Sequence, residues 1–176
     1  MAVLCSLLMA CTPALNWREV RNDDAGWKAL FPAKPVEATR PLPMPNAKSP
    51  MALTLRSARI QNTLFAVGVV PEGSADVRSA LEDAMLTNIR SQANDVRRRT
   101  LMINGHPAVE LGAKGLMLID PVKPAVPARL FMRSLVVPAT AGLPRRVLEI
   151  IAVGPETELT EEQARQFIES LALLGQ

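Results

Sequence analysis

The chain has 176 residues, 48% of them hydrophobic and 21% charged, which suits one folded domain and excludes a globally disordered chain. Its net charge of +3, from 20 Lys and Arg against 17 Asp and Glu, is spread along the sequence and lacks the concentrated basic stripe that nucleic-acid binding requires. Aromatic residues are only 3%, with no Tyr, so the core is aliphatic, and the arginines do not cluster with aromatics as single-strand nucleic-acid binders would need.

The first segment, Met1–Ala10, is uncharged and almost wholly apolar. It is far shorter than the ~20 residues that span a bilayer, and it has the apolar and cleavage regions of a secretory leader. The basic start of such a leader is missing, which points to a start upstream of Met1. The residues Leu8-Met9-Ala10-Cys11 resemble the lipobox of bacterial lipoproteins, with a Leu three before the Cys and a small residue just before it. Met9 is a less usual occupant of the middle position. The two cysteines are Cys5 and Cys11, so the body has neither a disulfide framework nor a thiolate metal site. Removal of residues 1–10 leaves Cys11 first and available for acylation, with residues 11–16 as a tether. A buried first strand is the competing reading, but the turn residues after Cys11 suit a tether better. What the resemblance implies is a lipid anchor on the periplasmic face. Thr12 in place of Asp after the Cys points to the outer rather than the inner membrane.

From residue 17 the pattern is strands, a helix, more strands and a last helix. Asn16–Val20 and Gly26–Phe31 read as strands, with Trp27, Ala29 and Phe31 on one face under a period of two. Val36–Leu42 continues as an edge strand, followed by a proline-rich connector from Pro41 to Pro50. Ala52–Ile60 and Leu64–Val70 form a hairpin around Gln61-Asn62-Thr63. Ser74 caps a helix running to about Ala93, with Val77, Leu81, Ala84, Met85 and Asn88 on its stripe and Glu82 off it. Strands follow at Arg97–Ile103 and Val109–Ile119 around the turn Asn104-Gly105. A second proline-rich loop, Pro121–Pro127, leads to Arg129–Val137, and Ala141–Pro144 turns the chain into Arg146–Val153. Thr160, with Gln163 three later, makes a capping box for a final helix carrying Ala164, Phe167, Ile168, Leu171 and Leu174.

Three phrases in this order, Phe31-Pro32-Ala33-Lys34-Pro35, Ile103-Asn104-Gly105-His106-Pro107, and Val153-Gly154-Pro155 with Phe167–Leu171, resemble bacterial relatives of the PsbP-like fold. That resemblance covers roughly residues 17–174. It implies an α+β α/β/α sandwich, an antiparallel sheet with helices on both faces, in a single globular domain from 17 to 176. Members of that superfamily act mostly as binding or assembly modules, and the resemblance carries no catalytic residues to transfer.

Chemistry is sparse. His106 is the only histidine; alone, in a Gly-His-Pro turn, it makes no usual zinc site. No nucleophile elbow surrounds any serine, and Gly112 and Gly115 lack phosphate-loop spacing, so no cofactor or metal is expected. Arg97-Arg98-Arg99 and Arg145-Arg146 are the densest basic clusters. They read either as solvated edge protection or as a face for anionic lipid or cell-wall polymer. The reading that follows is a non-catalytic, lipid-anchored envelope module that binds a protein or an anionic polymer and not nucleic acid. Its candidate patch comprises Arg97, Arg98, Arg99, Trp17 and Trp27. A hydrolase using His106 and a small-ligand carrier using the apolar sheet face near Trp17 and Trp27 are the alternatives.

Overall fold

The computed structural model describes residues 15–43, 49–140 and 142–175. The leader 1–10 and Cys11 lie outside them, as do residues 12–14 of the tether, 44–48 of the first proline-rich connector and Ala141. In chain order the elements are β1 (Arg18–Asn22), β2 (Trp27–Phe31), β3 (Val36–Leu42), β4 (Met51–Ile60), β5 (Thr63–Pro71), α1 (Ala75–Asn88), β6 (Val96–Ile103), β7 (His106–Met117), β8 (Val126–Val137), β9 (Arg146–Pro155), α2 (Glu161–Glu169) and β10 (Ala172–Leu173). They form one α+β domain.

Seven strands make an antiparallel sheet in the order β3-β4-β5-β9-β8-β7-β6, and β1, β2 and β10 make a separate small one. β9 is buried at every position. Its run of Val, Leu, Ile and Ala has no polar alternation because both faces are covered, as a central strand requires. Leu148, Ile150 and Ala152 point to the face covered by α2 and the small sheet. Val147 and Ile151 point to the face covered by α1. The first face is pinned by aromatic edges: Phe167 of α2 lies 5.0 Å from Phe31 and 5.3 Å from Phe65, ring centre to ring centre. Each such pair adds about 0.5–1.5 kcal/mol beyond the area it buries.

Local patterning places most elements, and the differences have physical causes. Trp27, Ala29 and Phe31 share the buried face of β2 as their alternation predicts. The helix expected to reach Ala93 instead ends at Asn88, with Ile89 as its cap. There Ser91 N donates to Leu86 O and Arg90 N to Thr87 O, a Schellman closure. The position needing positive φ is filled by Arg90 (φ 48°) and not by glycine, so the usual stop signal is missing from the sequence. The stripe of α1 is also rotated from expectation: Ala84 and Asn88 are exposed, while Glu82 is buried beside Val77 and Leu81.

The capping box of α2 is present, with Gln163 N donating to Thr160 Oγ1 and Thr160 N to Gln163 Oε1. Leu171 and Leu174, however, are not on this helix, which ends at Glu169. Ser170 Oγ accepts from Leu30 N at 2.8 Å, and the chain then pairs as β10 with β2. Pairing of Ala172 with Lys28 and of Leu173 with Trp27, far apart in the chain, overrides the helical period at this point.

Gly115 joins α1 to the sheet. A Cβ there would lie 2.0 Å from Ile89 O, the carbonyl that also accepts from Leu116 N. Gly115→Ala forces backbone apart and is expected to cost about 1–3 kcal/mol, read as a lowered urea midpoint. Gly112→Ala, three residues away, has nothing within 4 Å of the new Cβ and should change stability by less than about 0.5 kcal/mol.

Candidate functional site

The candidate patch divides when the strands form. Successive residues of β6 point to opposite faces, so Arg97-Arg98-Arg99 is not one cluster. Arg99 pairs in register with Glu110 and Arg97 with Gly112, on the face of α2, whereas Arg98 pairs with Leu111 on the face of α1. Trp27 is fully buried and Trp17 packs edge-on against Phe65 at 6.0 Å, both at the aromatic core rather than beside the arginines. The apolar sheet face near them is filled by α2 and the small sheet, which leaves no open face there for a carried ligand. Arg146 is likewise withdrawn from any surface patch: it is buried, donating through Nε to Ala25 O at 2.8 Å and through Nη1 to Pro144 O at 3.2 Å.

What remains is a basin of about 660 Å³ at one edge of the large sheet. It is lined by Gly112 and Phe131, by the cations Arg97, Arg99, Lys114, Arg129 and Arg165, and by the acids Asp95, Glu110 and Glu161. These cations are not equivalent. Glu110 on β7 accepts from Arg99 Nε at 2.7 Å and from Arg133 Nε at 2.8 Å. Burial pushes the Glu110 carboxyl up, but the hydrogen bonds from Arg133 and Arg99, and then their charges, outweigh it and hold the group below 4.5. Arg165 is held by Glu161 at 2.8 Å and lies 3.5 Å from Glu169, which is also 3.5 Å from Arg133. These three arginines and three carboxylates balance one another while tying β6, β7, β8 and α2 together. Lys114 and Arg129 share one carboxylate, Glu156, at 4.0 and 3.3 Å. Arg97 is exposed and has no carboxylate partner among the described residues. The basin thus offers one unpaired and two half-paired cations beside an open glycine floor, an arrangement that suits a phosphate- or carboxylate-bearing ligand.

His106 does not line the basin. It stands half-exposed at the start of β7, behind the turn Asn104-Gly105, whose φ angles of 47° and 80° make the tight hairpin expected there. Asn104 Oδ1 accepts from Leu173 N at 3.0 Å, fixing that turn to β10. Six residues of strand, about 20 Å, separate His106 from Gly112.

A second polar cluster lies under α1 and was not anticipated. Glu82, 1% exposed, accepts from Ser134 Oγ at 2.6 Å and Arg98 Nη1 at 2.8 Å, and pairs with Arg78. Arg98 is therefore a clamp on α1. Beside it Glu149 of β9 is wholly enclosed, between Gly68 of β5 and Ser134 of β8 in the register of the sheet. A Cβ on Gly68 would lie 2.6 Å from Glu149 Oε1, so the glycine makes the room the carboxyl occupies. Glu149 Oε2 has no partner among the described residues. Burial, reinforced by the Glu82 carboxylate, pushes Glu149 up to about 8. The available signal was a lone Glu inside the apolar run Val147–Val153. Among the described residues there is no group of three or more His, Cys, Asp or Glu suited to a metal ion.

Comparison with known proteins leaves this geometry standing by itself: no family model, no curated protein and no solved structure matches the chain.

The Glu149 shift sets a pH dependence. Between pH 4.5 and about 8 the folded chain holds a proton that the unfolded chain releases. Its contribution to stability is therefore intact below pH 4.5 and declines as pH rises, by up to about 1.4 kcal/mol per pH unit, until it is lost above about 8. Glu149→Gln, which keeps the shape without the charge, should flatten this decline and be more stable than the parent at pH 8. Urea midpoints of both chains at pH 5 and pH 8 measure it.

Proposed function

We propose that this protein is a non-catalytic, lipid-anchored module of the cell envelope, with a PsbP-like α/β/α sandwich domain that binds an anionic polymer at the basin over Gly112. The observation that carries this reading is the set Arg97, Lys114 and Arg129, three cations whose one ion-pair partner among the described residues is Glu156, with Asp95 an acid of the basin that pairs with none of them. A polymer with phosphate or carboxylate groups fits better than a compact small molecule, because the basin's cations stand on three adjacent strands. The likeness of Leu8–Cys11 to a lipobox supports the anchor, as does the confinement of both cysteines to the first eleven residues. No helix among the described residues is long and apolar enough to cross a membrane, so acylation at Cys11 is the attachment this reading requires.

Titration of the full chain with polyphosphate and with polygalacturonate tests the basin. Binding to at least one is expected, weakening as salt rises. Arg97→Ala with Lys114→Ala should weaken it by about tenfold or more, at about 1 kcal/mol per cation facing an anionic surface. Absence of binding to both polymers, or binding indifferent to the double substitution, sinks the polymer reading. The anchor is tested separately by mass spectrometry of the N-terminal peptide from envelope fractions: acylated Cys11 is expected, and an unmodified peptide that retains residues 1–10 overturns it.

A further inference from the structure

The β7–β8 hairpin outruns the rest of the sheet. Ala128 pairs with Pro155, the last residue of β9, while Met117 and Val126 pair beyond that level and the loop 118–125 continues past them. This projecting tip is apolar where a soluble turn would be polar: Val122 is 87% exposed, Leu118 49%, and Leu116 and Ile119 43% each. It is also stiff. Asp120 Oδ1 accepts from Val122 N and Asp120 O from Lys123 N, both at 3.1 Å, between Pro121 and Pro124. Cations flank it, with Lys114 and Arg129 facing each other across its base and Lys123, 3.6 Å from Asp120, at its end.

The tip shares an end of the molecule with the point where the N-terminal chain enters the fold. The far end of β2 is fixed by Arg146, which bonds Ala25 O at the start of β9. The near end carries Trp17 against Phe65, and Phe65 pairs with Ala152 close to the end of β9. Leu15 and Asn16 therefore lie at the same end of the sheet as the hairpin tip, with Cys11 four residues further back.

We propose that the β7–β8 tip is a membrane-docking element, with Leu118, Ile119 and Val122 entering the surface of an anionic bilayer and Lys114, Lys123 and Arg129 meeting its headgroups. A preformed tip loses little conformational freedom on insertion, and apolar burial combined with headgroup attraction is what interfacial binding requires. The docking goes beyond the anchor and the polymer site and needs neither. It orients the domain, so that a tether at Cys11 and the tip touch the same surface.

The test uses the full chain carrying Cys11→Ala, which removes any acyl chain, sedimented with vesicles of phosphatidylcholine mixed with phosphatidylglycerol and with phosphatidylcholine alone. Binding to the mixed vesicles is expected, weaker on phosphatidylcholine and weaker as salt rises. Leu118→Asp/Ile119→Asp/Val122→Asp should lower it by more than about tenfold while leaving polyphosphate binding in place. Met102→Asp, an apolar side chain 60% exposed at the other end of β6, should leave it unchanged. Val122→Ser/Lys123→Glu, at the most exposed turn positions, gives the same reading should the triple substitution fail to fold. Absence of binding to the mixed vesicles overturns the proposal, as does binding that survives the tip substitutions. A dimer in free solution that the tip substitutions dissociate, without vesicle binding, assigns the tip to a second copy instead.

Discussion

The burial of β9 along both faces and both edges is the constraint from which the other placements follow. β5 and β8 hydrogen-bond to its two sides, and its alternating residues set what each face of the sheet can accept. On one face Leu148, Ile150 and Ala152, with Phe65 of the neighbouring β5, are covered by Phe167 of α2 and Phe31 of the small sheet. On the other, Val147 and Ile151 meet α1, with an acid between them. Glu149 has room there because its strand neighbours, Gly68 and Ser134, are small, and α1 sets beside it a second carboxylate, Glu82, already clamped by arginines. A buried carboxyl with a like-charged neighbour favours its neutral form, so the packing of α1 on the sheet is tied to the protonation of one strand residue.

The arginines that dominate the basic side of the composition serve two different physical purposes. Arg78, Arg98, Arg99, Arg133 and Arg165 each meet a carboxylate on another element or one turn away, and these pairs join α1 to β6, β6 and β8 to β7, and β8 to α2. Arg97, Lys114 and Arg129 face the basin with Glu156 as their one ion-pair partner among the described residues. The distinction matters because isolated surface ion pairs contribute little to stability, whereas a cation left without its acid keeps its charge for a ligand. Strand alternation is what sorts the run Arg97–Arg99 into these two roles.

The basin and the apolar tip are contiguous, since Lys114 and Arg129 belong to the rim of one and the base of the other. In the proposed arrangement the tip and the tether hold one end of the sheet at the membrane, and the basin opens beside that contact, near anionic headgroups and anionic polymer alike.

Local chemistry in the sequence was sufficient for the element types and for several boundaries. The alternation of Trp27, Ala29 and Phe31, the Thr160–Gln163 capping box and the Asn104-Gly105 turn are decided within a few residues, where sterics and short-range hydrogen bonds act. The α+β class, with antiparallel strands and two helices, follows from those periods. The end of α1 was hidden because Arg90 takes a conformation that glycine usually signals. The strand β10 was hidden because its partner is β2, and the burial of Glu82 because it depends on Ser134 and Arg98. The sheet order, the split of Arg97–Arg99, the enclosure of Glu149 and the convergence of Arg97, Lys114 and Arg129 on one basin were decided by tertiary structure alone. Each depends on which strands lie side by side, and strand pairing is settled by burial summed over the whole chain, a quantity no local window contains.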